Sequence, residues 1–406
     1  MKVTRFKVLS LFLTVFLVPA VSPRAFDFGL ITNQYLGVGN QGAGDVDFTY
    51  QADVLPRFSF LIGDSGELLL SAGLTLGVSN GFYFVPEILQ TEFSMRFGGI
   101  GIRAGRFPYS DPLSFIADGL FDGVQFSYNS SLGTFSAGAW YTGLLYKKNA
   151  KITMNENDQE KYDNAVDFGD FFNTYFAPSR LLLSLDWQHP SIAELLRLRA
   201  SVTGQADLSK EKEKYHSQYL TLKAALPFNS FLFELGGSIE MAQVVQNDTR
   251  FVMAFAWDFG IFWTLPTSFN SRLSLSGHFA GGKASNIIEA FVPITTKYYG
   301  NILEAKLPGL SVFDLNYMAR INSALGAGLS ALYFVRNDLD TFKGYPVIND
   351  SGYFLGAEIF GRLIWSPMSD LQLSLGSGMF LPALGNAGPG EKPLWRVELN
   401  AVLALY

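Results

Sequence analysis

Residues 67–78 read Glu-Leu-Leu-Leu-Ser-Ala-Gly-Leu-Thr-Leu-Gly-Val, and the alternation inside them decides the fold. Leu68, Leu70, Ala72, Leu74, Leu76 and Val78 fall on even positions, while Ser71, Gly73, Thr75 and Gly77 fall on odd ones. Side chains point to opposite faces of a β-strand with period two, so this stretch is a strand with one apolar face. Leu181, Leu183, Leu185 and Trp187 repeat the pattern against Ser184, Asp186 and Gln188. It recurs in residues 251–265, where Phe251, Met253, Phe255, Trp257, Phe259, Ile261 and Trp263 share a face. That segment is the greasiest after the N-terminus, yet it carries Asp258 and alternates, so it is a strand and not a spanning helix.

Composition narrows the setting. Of 406 residues, 48% are hydrophobic and 15% aromatic, while only 16% are charged. Such a chain is too apolar and too sparsely charged for an ordinary soluble surface. A formal net charge of -6 without a Lys/Arg-rich stripe leaves no footprint for nucleic acid. Cysteine is absent, which excludes disulfides, thiolate metal sites, a cysteine nucleophile and a lipid-modified N-terminal cysteine.

The N-terminus reads as an export signal over residues 1–20. Lys2, Arg5 and Lys7 precede a short apolar run, residues 8–18, and Val18-Pro19-Ala20 offers small residues for cleavage, with a second possible cut after Ala25. The apolar run is well short of the roughly 20 residues a spanning helix needs. Residues 26–406 then form one domain.

Counting the alternating segments gives about 18 strands, with 16 to 20 allowed, as in a mid-sized outer-membrane barrel. Short connections rich in turn residues, such as 63–65, 98–99, 129–132, 189–194, 227–230, 265–270, 322–323 and 366–370, alternate with longer ones. The longer set comprises 39–46, 80–90, 107–121, 147–179, 208–215, 244–250, 281–309, 337–352 and 382–393. This is the rhythm of tight periplasmic turns and long extracellular loops. Residues 287–302 are assigned to a loop rather than to a further strand pair. Trp187, Trp263 and Trp365 each sit on the apolar face just before Pro190, Pro266 and Pro367, and with Phe231 and Phe233 they make a membrane-interface girdle at one rim.

Alternation alone also fits a soluble sandwich. Scale decides: an open sheet of so many strands leaves edges and a large apolar surface exposed, whereas closure in a bilayer satisfies every backbone group. The expected fold is therefore all-β, a single transmembrane antiparallel β-barrel with the lipid bilayer around its apolar face.

Two resemblances point the same way. Residues 395–406, ending Leu403-Ala404-Leu405-Tyr406, resemble the C-terminal strand of bacterial outer-membrane proteins, whose terminal aromatic is read by the barrel-assembly machinery. The match departs in one respect: Trp395, Val397, Leu399, Ala401, Leu403 and Leu405 share the outer face, which puts Tyr406 on the inner parity. Arg103-Ala104-Gly105-Arg106-Phe107 followed by Phe121-Asp122-Gly123-Val124 is similar to a pattern of porin-like and alginate-export-like barrels. Arg106 and Asp122 share the outward parity and are placed to pair across the hairpin mouth. Both resemblances imply the outer membrane of a Gram-negative-type bacterium. Outer-membrane fatty-acid transporters differ, since their N-terminal plug and Asn-Pro-Ala motif have no counterpart here.

The inner strand face carries small and ionisable residues. Arg103, Arg197, Arg199, Arg272, Arg320 and Arg362 set against Glu92, Asp186, Glu234, Glu240 and Glu358 form a candidate selectivity lining. Residues 107–121 mix Asp111 and Asp118 with Leu113, Phe115 and Ile116, a composition suited to a constriction loop folded into the mouth or, equally, to a simple surface loop. No cofactor, metal centre or enzymatic activity is expected. His189, His216 and His278 lie in no ligand spacing, Ser276 beside His278 is ordinary lumen lining, and the acidic residues 155–170 lack the glycine and ligand order of a calcium loop.

The leading functional expectation is passive diffusion of small polar or charged solutes through a porin. One alternative is a transporter of hydrophobic ligands with a greasy track of Leu332, Phe334, Phe354 and Phe360. The other is an adhesin or receptor carried by residues 147–179 and 281–309. Oligomeric state is left open.

Overall fold

The computed structural model describes residues 26–40, 46–79, 81–193, 195–245, 248–339, 352–387 and 392–405. The export segment and Tyr406 lie outside the described residues. Eighteen strands form one antiparallel sheet. They are β1 (Phe26–Asn40), β2 (Val46–Ile62), β3 (Gly66–Val78), β4 (Phe82–Phe97), β5 (Ile100–Ser110) and β6 (Asp118–Ser130). β7 (Gly133–Tyr141), β8 (Arg180–Ile192), β9 (Leu196–Asp207), β10 (Lys214–Phe228), β11 (Phe231–Val245) and β12 (Thr249–Thr264) follow. The last are β13 (Arg272–Ala280), β14 (Leu310–Arg320), β15 (Leu325–Arg336), β16 (Phe354–Met368), β17 (Leu371–Leu381) and β18 (Leu394–Leu405).

Each strand pairs with its neighbours in sequence, and β1 pairs with β18 from Leu30–Leu405 to Asn40–Trp395. The sheet therefore closes and leaves no edge, the condition for strands to cross a bilayer. Residues 287–302 contribute no barrel strand. They sit in the 281–309 loop, which carries a hairpin of Tyr298–Tyr299 with Ala305–Lys306 and a parallel bridge from Ile288 to Met253 of β12.

Period two sorts the side chains across the wall. On β8 the outward Leu183 and Leu185 are 57% and 63% exposed, while the inward Leu182 and Ser184 are buried. On β12 Phe251, Met253, Phe255 and Trp257 face out, against buried Val252, Ala254, Ala256 and Asp258. A surface greasy on the outside and packed within is that of a bilayer-spanning barrel.

Two bulges correct the simple parity. Register passes from Ser71–Gln90 to Ala72–Ile88, so Leu89 is an extra residue and the outward positions of β4 change from even to odd below it. In β16 Phe334 pairs with Gly356 but Val335 with Phe354, which makes Leu355 the extra residue. Phe354 is thereby 46% exposed on the outer face, beside Tyr333, and does not join an inward track. Residues 80–90 were expected to connect strands; instead β4 begins at Phe82, because its alternation of Phe82, Phe84 and Pro86 with Tyr83 and Val85 continues the ladder up to Val78.

The longer connections leave from the rim opposite the short turns, and three of them fill the barrel. Residues 111–117 fold inward. Residues 142–179 carry α1 (Lys147–Ala150), α2 (Glu156–Asp163) and α3 (Phe171–Thr174). Buried Ile116, Ile152, Phe291, Ile294, Leu303 and Leu307 join inward wall residues such as Trp140, Tyr219 and Phe334 in one cluster. The apolar core is thus inside the upper barrel, supplied half by wall and half by loop.

Candidate functional site

The inward loop at 111–117 is shaped by its own aspartate. Asp111 is fully buried, and its carboxylate accepts the backbone N–H groups of Leu113 (2.8 Å), Ile116 (2.8 Å) and Ala117 (3.0 Å). Burial pushes this carboxyl up from the usual range, and the three backbone donors oppose the shift. Asp111 therefore closes a turn instead of projecting into the lumen as a constriction charge. Asp118 remains exposed, its backbone N–H donating to Thr295 Oγ1 at 2.9 Å.

The loop spans from β5 and β6 to β11. Leu113 Cδ2 lies so close to Gly236 that a Cβ there would stand 2.3 Å away, so glycine is what admits the loop tip. The 281–309 loop locks against it: Ile294 and Thr295 donate backbone N–H groups to Ile116 O at 2.8 and 3.0 Å. Lys297 Nζ reaches Ser114 O at 2.9 Å, and Phe115 meets Phe291 edge-on at 6.1 Å. Burial lowers the Lys297 ammonium, against Asp118, Asp111 and Asp258, which raise it.

Two carboxylates expected to line the lumen instead anchor this second loop. Glu240 is fully buried; it accepts Val292 N at 2.8 Å and the hydroxyls of Tyr215 and Tyr219 at 2.7 and 3.2 Å. Glu358, also fully buried, accepts the backbone N–H groups of Asn301 (2.6 Å), Ile302 (3.1 Å) and Leu303 (3.1 Å). The inward parity was legible, but at these heights the backbone of the 281–309 loop meets both carboxylates. Phe334, Phe360 and Leu332 are buried too, and a Cβ at Gly300 would lie 3.0 Å from Phe334 Cζ. The aromatic row packs under the loop and does not form an open greasy track.

The other charges sort into pairs and free groups. Arg103 pairs with Glu92 at 2.7 Å and lies over Phe107, 4.3 Å from its ring centre. Glu234 pairs with Lys223 at 2.9 Å, and Asp258 stands 3.9 Å from the same ammonium. Arg362 pairs with Glu398 at 2.6 Å, and Asp186 accepts the Tyr109 hydroxyl at 3.2 Å. Arg320 donates to Ser323 O in a short turn, and Arg272 lies over Phe262 at 4.4 Å. Among the described residues Arg197 and Arg199 form no ion pair. Arg199, Arg103, Asp186, Gln125, Gln188 and Tyr109 are among the residues lining a polar cavity of about 220 Å³ below the first inward loop.

Sequence reasoning missed the strongest anchor. Arg180, fully buried at the start of β8, pairs with both Asp158 of α2 and Asp207 at the end of β9. Arg180 and Asp207 are register partners, so inward parity at facing strand ends was the available signal. Asp158 thereby holds the 142–179 loop, and Asn155 caps α2 by accepting Asp158 N at 2.8 Å. The acids of this stretch do not converge, and no group of three or more side chains able to hold a metal is found among the described residues. His278 lies against Tyr299, 4.8 Å between ring centres.

At the rims, Trp187, Trp263 and Trp365 all lie at the short-turn end of the outer face. Trp263 stacks on Phe231 at 5.5 Å, and Trp365 is 51% exposed. At the other end Arg106 and Asp122 pair doubly, Nε to Oδ1 and Nη2 to Oδ2, both 2.9 Å.

No protein-family model and no curated protein matches the chain. Solved structures do. The chain is similar to Pseudomonas aeruginosa OccK2 (OpdF) in complex with glucuronate, with a TM-score of 0.64 at 12% identity, covering 94% of this chain and 98% of that one. It is similar to P. aeruginosa OccK5 (OpdH), TM-score 0.61 at 11% identity over 95% and 99% of the two chains. P. aeruginosa OprD gives 0.56 at 14% identity over 94% and 96%. At such identities the likeness is one of fold: this chain shares their barrel almost end to end.

Proposed function

We propose that the protein is an outer-membrane porin through which small polar or charged solutes diffuse passively, exported by the segment 1–20 and inserted by the barrel-assembly machinery. One observation carries the reading: a closed barrel with a lipid-compatible outer face has its lumen narrowed from inside by loops docked at 111–117 and 281–309. A wall of this kind holds a path across a membrane, and inward loops set its width. Bond-making chemistry has no place in the scheme. The buried positions of Phe334 and Phe360 favour polar passage over a greasy track.

The solutes most favoured are small anions. Arg199 lines a polar cavity with Gln125, Gln188 and Ser110, donors able to bind carboxylate oxygens, while the Asp186 carboxylate on the same wall accepts the Tyr109 hydroxyl and Arg103 is paired with Glu92. A barrel of similar fold was solved with glucuronate, a sugar acid of this class. Swelling of liposomes containing the folded protein tests the proposal: uronates and small sugars enter at rates above those of empty liposomes. Swelling equal to that of empty liposomes rules it out.

A further inference from the structure

The 142–179 loop does more than fill the lumen. Its distal part, residues 164–176, turns outward and presents Phe168 and Phe172 at 58% and 68% exposure. Phe168 meets Phe84 of β4 at 6.4 Å and Phe171 at 6.0 Å, and Phe172 stacks on Phe176 at 6.0 Å. Phe82 and Phe84 lie on the outward face of β4, themselves 74% and 37% exposed. The loop aromatics are therefore continuous with the face that meets lipid. Tyr175 fixes them there, its hydroxyl donating to Pro86 O at 2.7 Å while its ring stacks on Phe171 at 4.5 Å.

Height agrees. Phe97 lies at the short-turn rim and Phe84 far up the same strand; at about 3.3 Å per residue and a tilt of about 40° the two are separated by roughly 30 Å. The apolar band of such barrels is about 25 Å tall, so Phe84 and its loop partners stand at the outer interface, where aromatic rings are favoured.

A second observation points to the same place. Arg106 and Asp122 have outward parity beneath this loop, on strands that are short. A bare ion pair facing hydrocarbon is costly. Here Leu144, where the 142–179 loop leaves β7, and Ile88 of β4 cover it: Arg106 Nη2 donates to Leu144 O at 2.9 Å and Nη1 to Ile88 O at 2.5 Å, leaving Arg106 7% exposed.

We propose that residues 164–176 form an aromatic lip that docks on the outer leaflet of the membrane, with Phe168 and Phe172 in its interfacial layer. This rests on the outer-membrane reading. The acids around the aromatics keep the lip in shape: Asp167 accepts Gly169 N at 2.8 Å and Asp170 accepts from Asn173 at 2.7 Å.

Because the chain has no cysteine, single labelling sites are available. Nitroxide labels are placed in separate variants Phe168→Cys, Phe172→Cys, Leu185→Cys on the lipid-facing wall and Lys210→Cys on an exposed loop, with the full chain in phospholipid vesicles. Collision with oxygen, enriched in lipid, is compared with collision with a water-soluble nickel chelate. The two lip positions are expected to resemble Leu185→Cys and to differ from Lys210→Cys. Lip positions matching Lys210→Cys while Leu185→Cys is lipid-like overturn the lip alone; a water-like Leu185→Cys overturns the barrel reading beneath it. Dipolar broadening at Phe172→Cys assigns the patch to a second copy of the chain, and also overturns the proposal.

Discussion

Glu240 on β11 accepts the backbone N–H of Val292 at 2.8 Å, so a wall carboxylate, completely buried, holds a loop across the barrel interior. Truncation as Glu240→Ala leaves that N–H and the hydroxyl of Tyr215 without their acceptor. Each orphaned group costs about 1–3 kcal/mol, borne by the loop and not by the ladder of the barrel. The 281–309 loop should loosen: trypsin cleaves after Lys297 sooner than in the wild type, and single-channel conductance rises. Equal cleavage and equal conductance would show that Glu240 does not hold the loop.

Arg180 answers to two carboxylates, Asp158 from the loop and Asp207 from the wall. Removing one partner of a buried ion pair costs about 3–5 kcal/mol, since the remaining charges stay buried without compensation. Arg180→Ala is expected to lower the urea midpoint of unfolding in detergent accordingly, and a shift corresponding to under about 1 kcal/mol speaks against the triad as an anchor.

Lys147 of α1 is buried with no hydrogen-bond partner for its Nζ. Burial lowers its ammonium to about 8, helped by Lys148 and Lys161 and opposed by Asp163. The unfolded chain holds the same proton up to about 10.4, so between these values the unfolded state binds more protons and stability rises with pH. The penalty is fully present below about 8 and relieved as pH approaches about 10.4. Lys147→Met should be more stable than the wild type near neutrality, and the gap between their urea midpoints should close as pH rises through this window. A gap independent of pH removes Lys147 as the cause.

Arg199 lines the polar cavity and forms no ion pair among the described residues, whereas Arg362 is matched by Glu398. A charge held in no direct ion pair, with Asp186 the carboxylate on the same cavity wall, acts on the local field more strongly than one in a close pair. Arg199→Glu is expected to move the reversal potential in a potassium chloride gradient toward cations. An unchanged potential places Arg199 off the path.

The wall was legible because a barrel strand repeats one rule along its whole length: the outward Leu183, Leu185 and Trp187 could be read in order, as could the turns beside Pro190 and Pro266. Parity also put Glu240 and Glu358 inside. What parity cannot encode is whether water or another loop occupies the lumen at a given height, and here Val292 and Ile302 do. Bulges break the rule without a strong local signal, which is why Phe354 was assigned inward while Leu355 took the extra place. Arg180 escaped notice because its partner Asp158 lies in a polar loop with no periodicity to place it.

Current through the folded protein in a planar bilayer tests the central claim most directly. Discrete, uniform conductance steps that grow linearly with salt concentration are expected from a water-filled path through the barrel. A fully folded protein, inserted in the bilayer and passing no current above background, contradicts it.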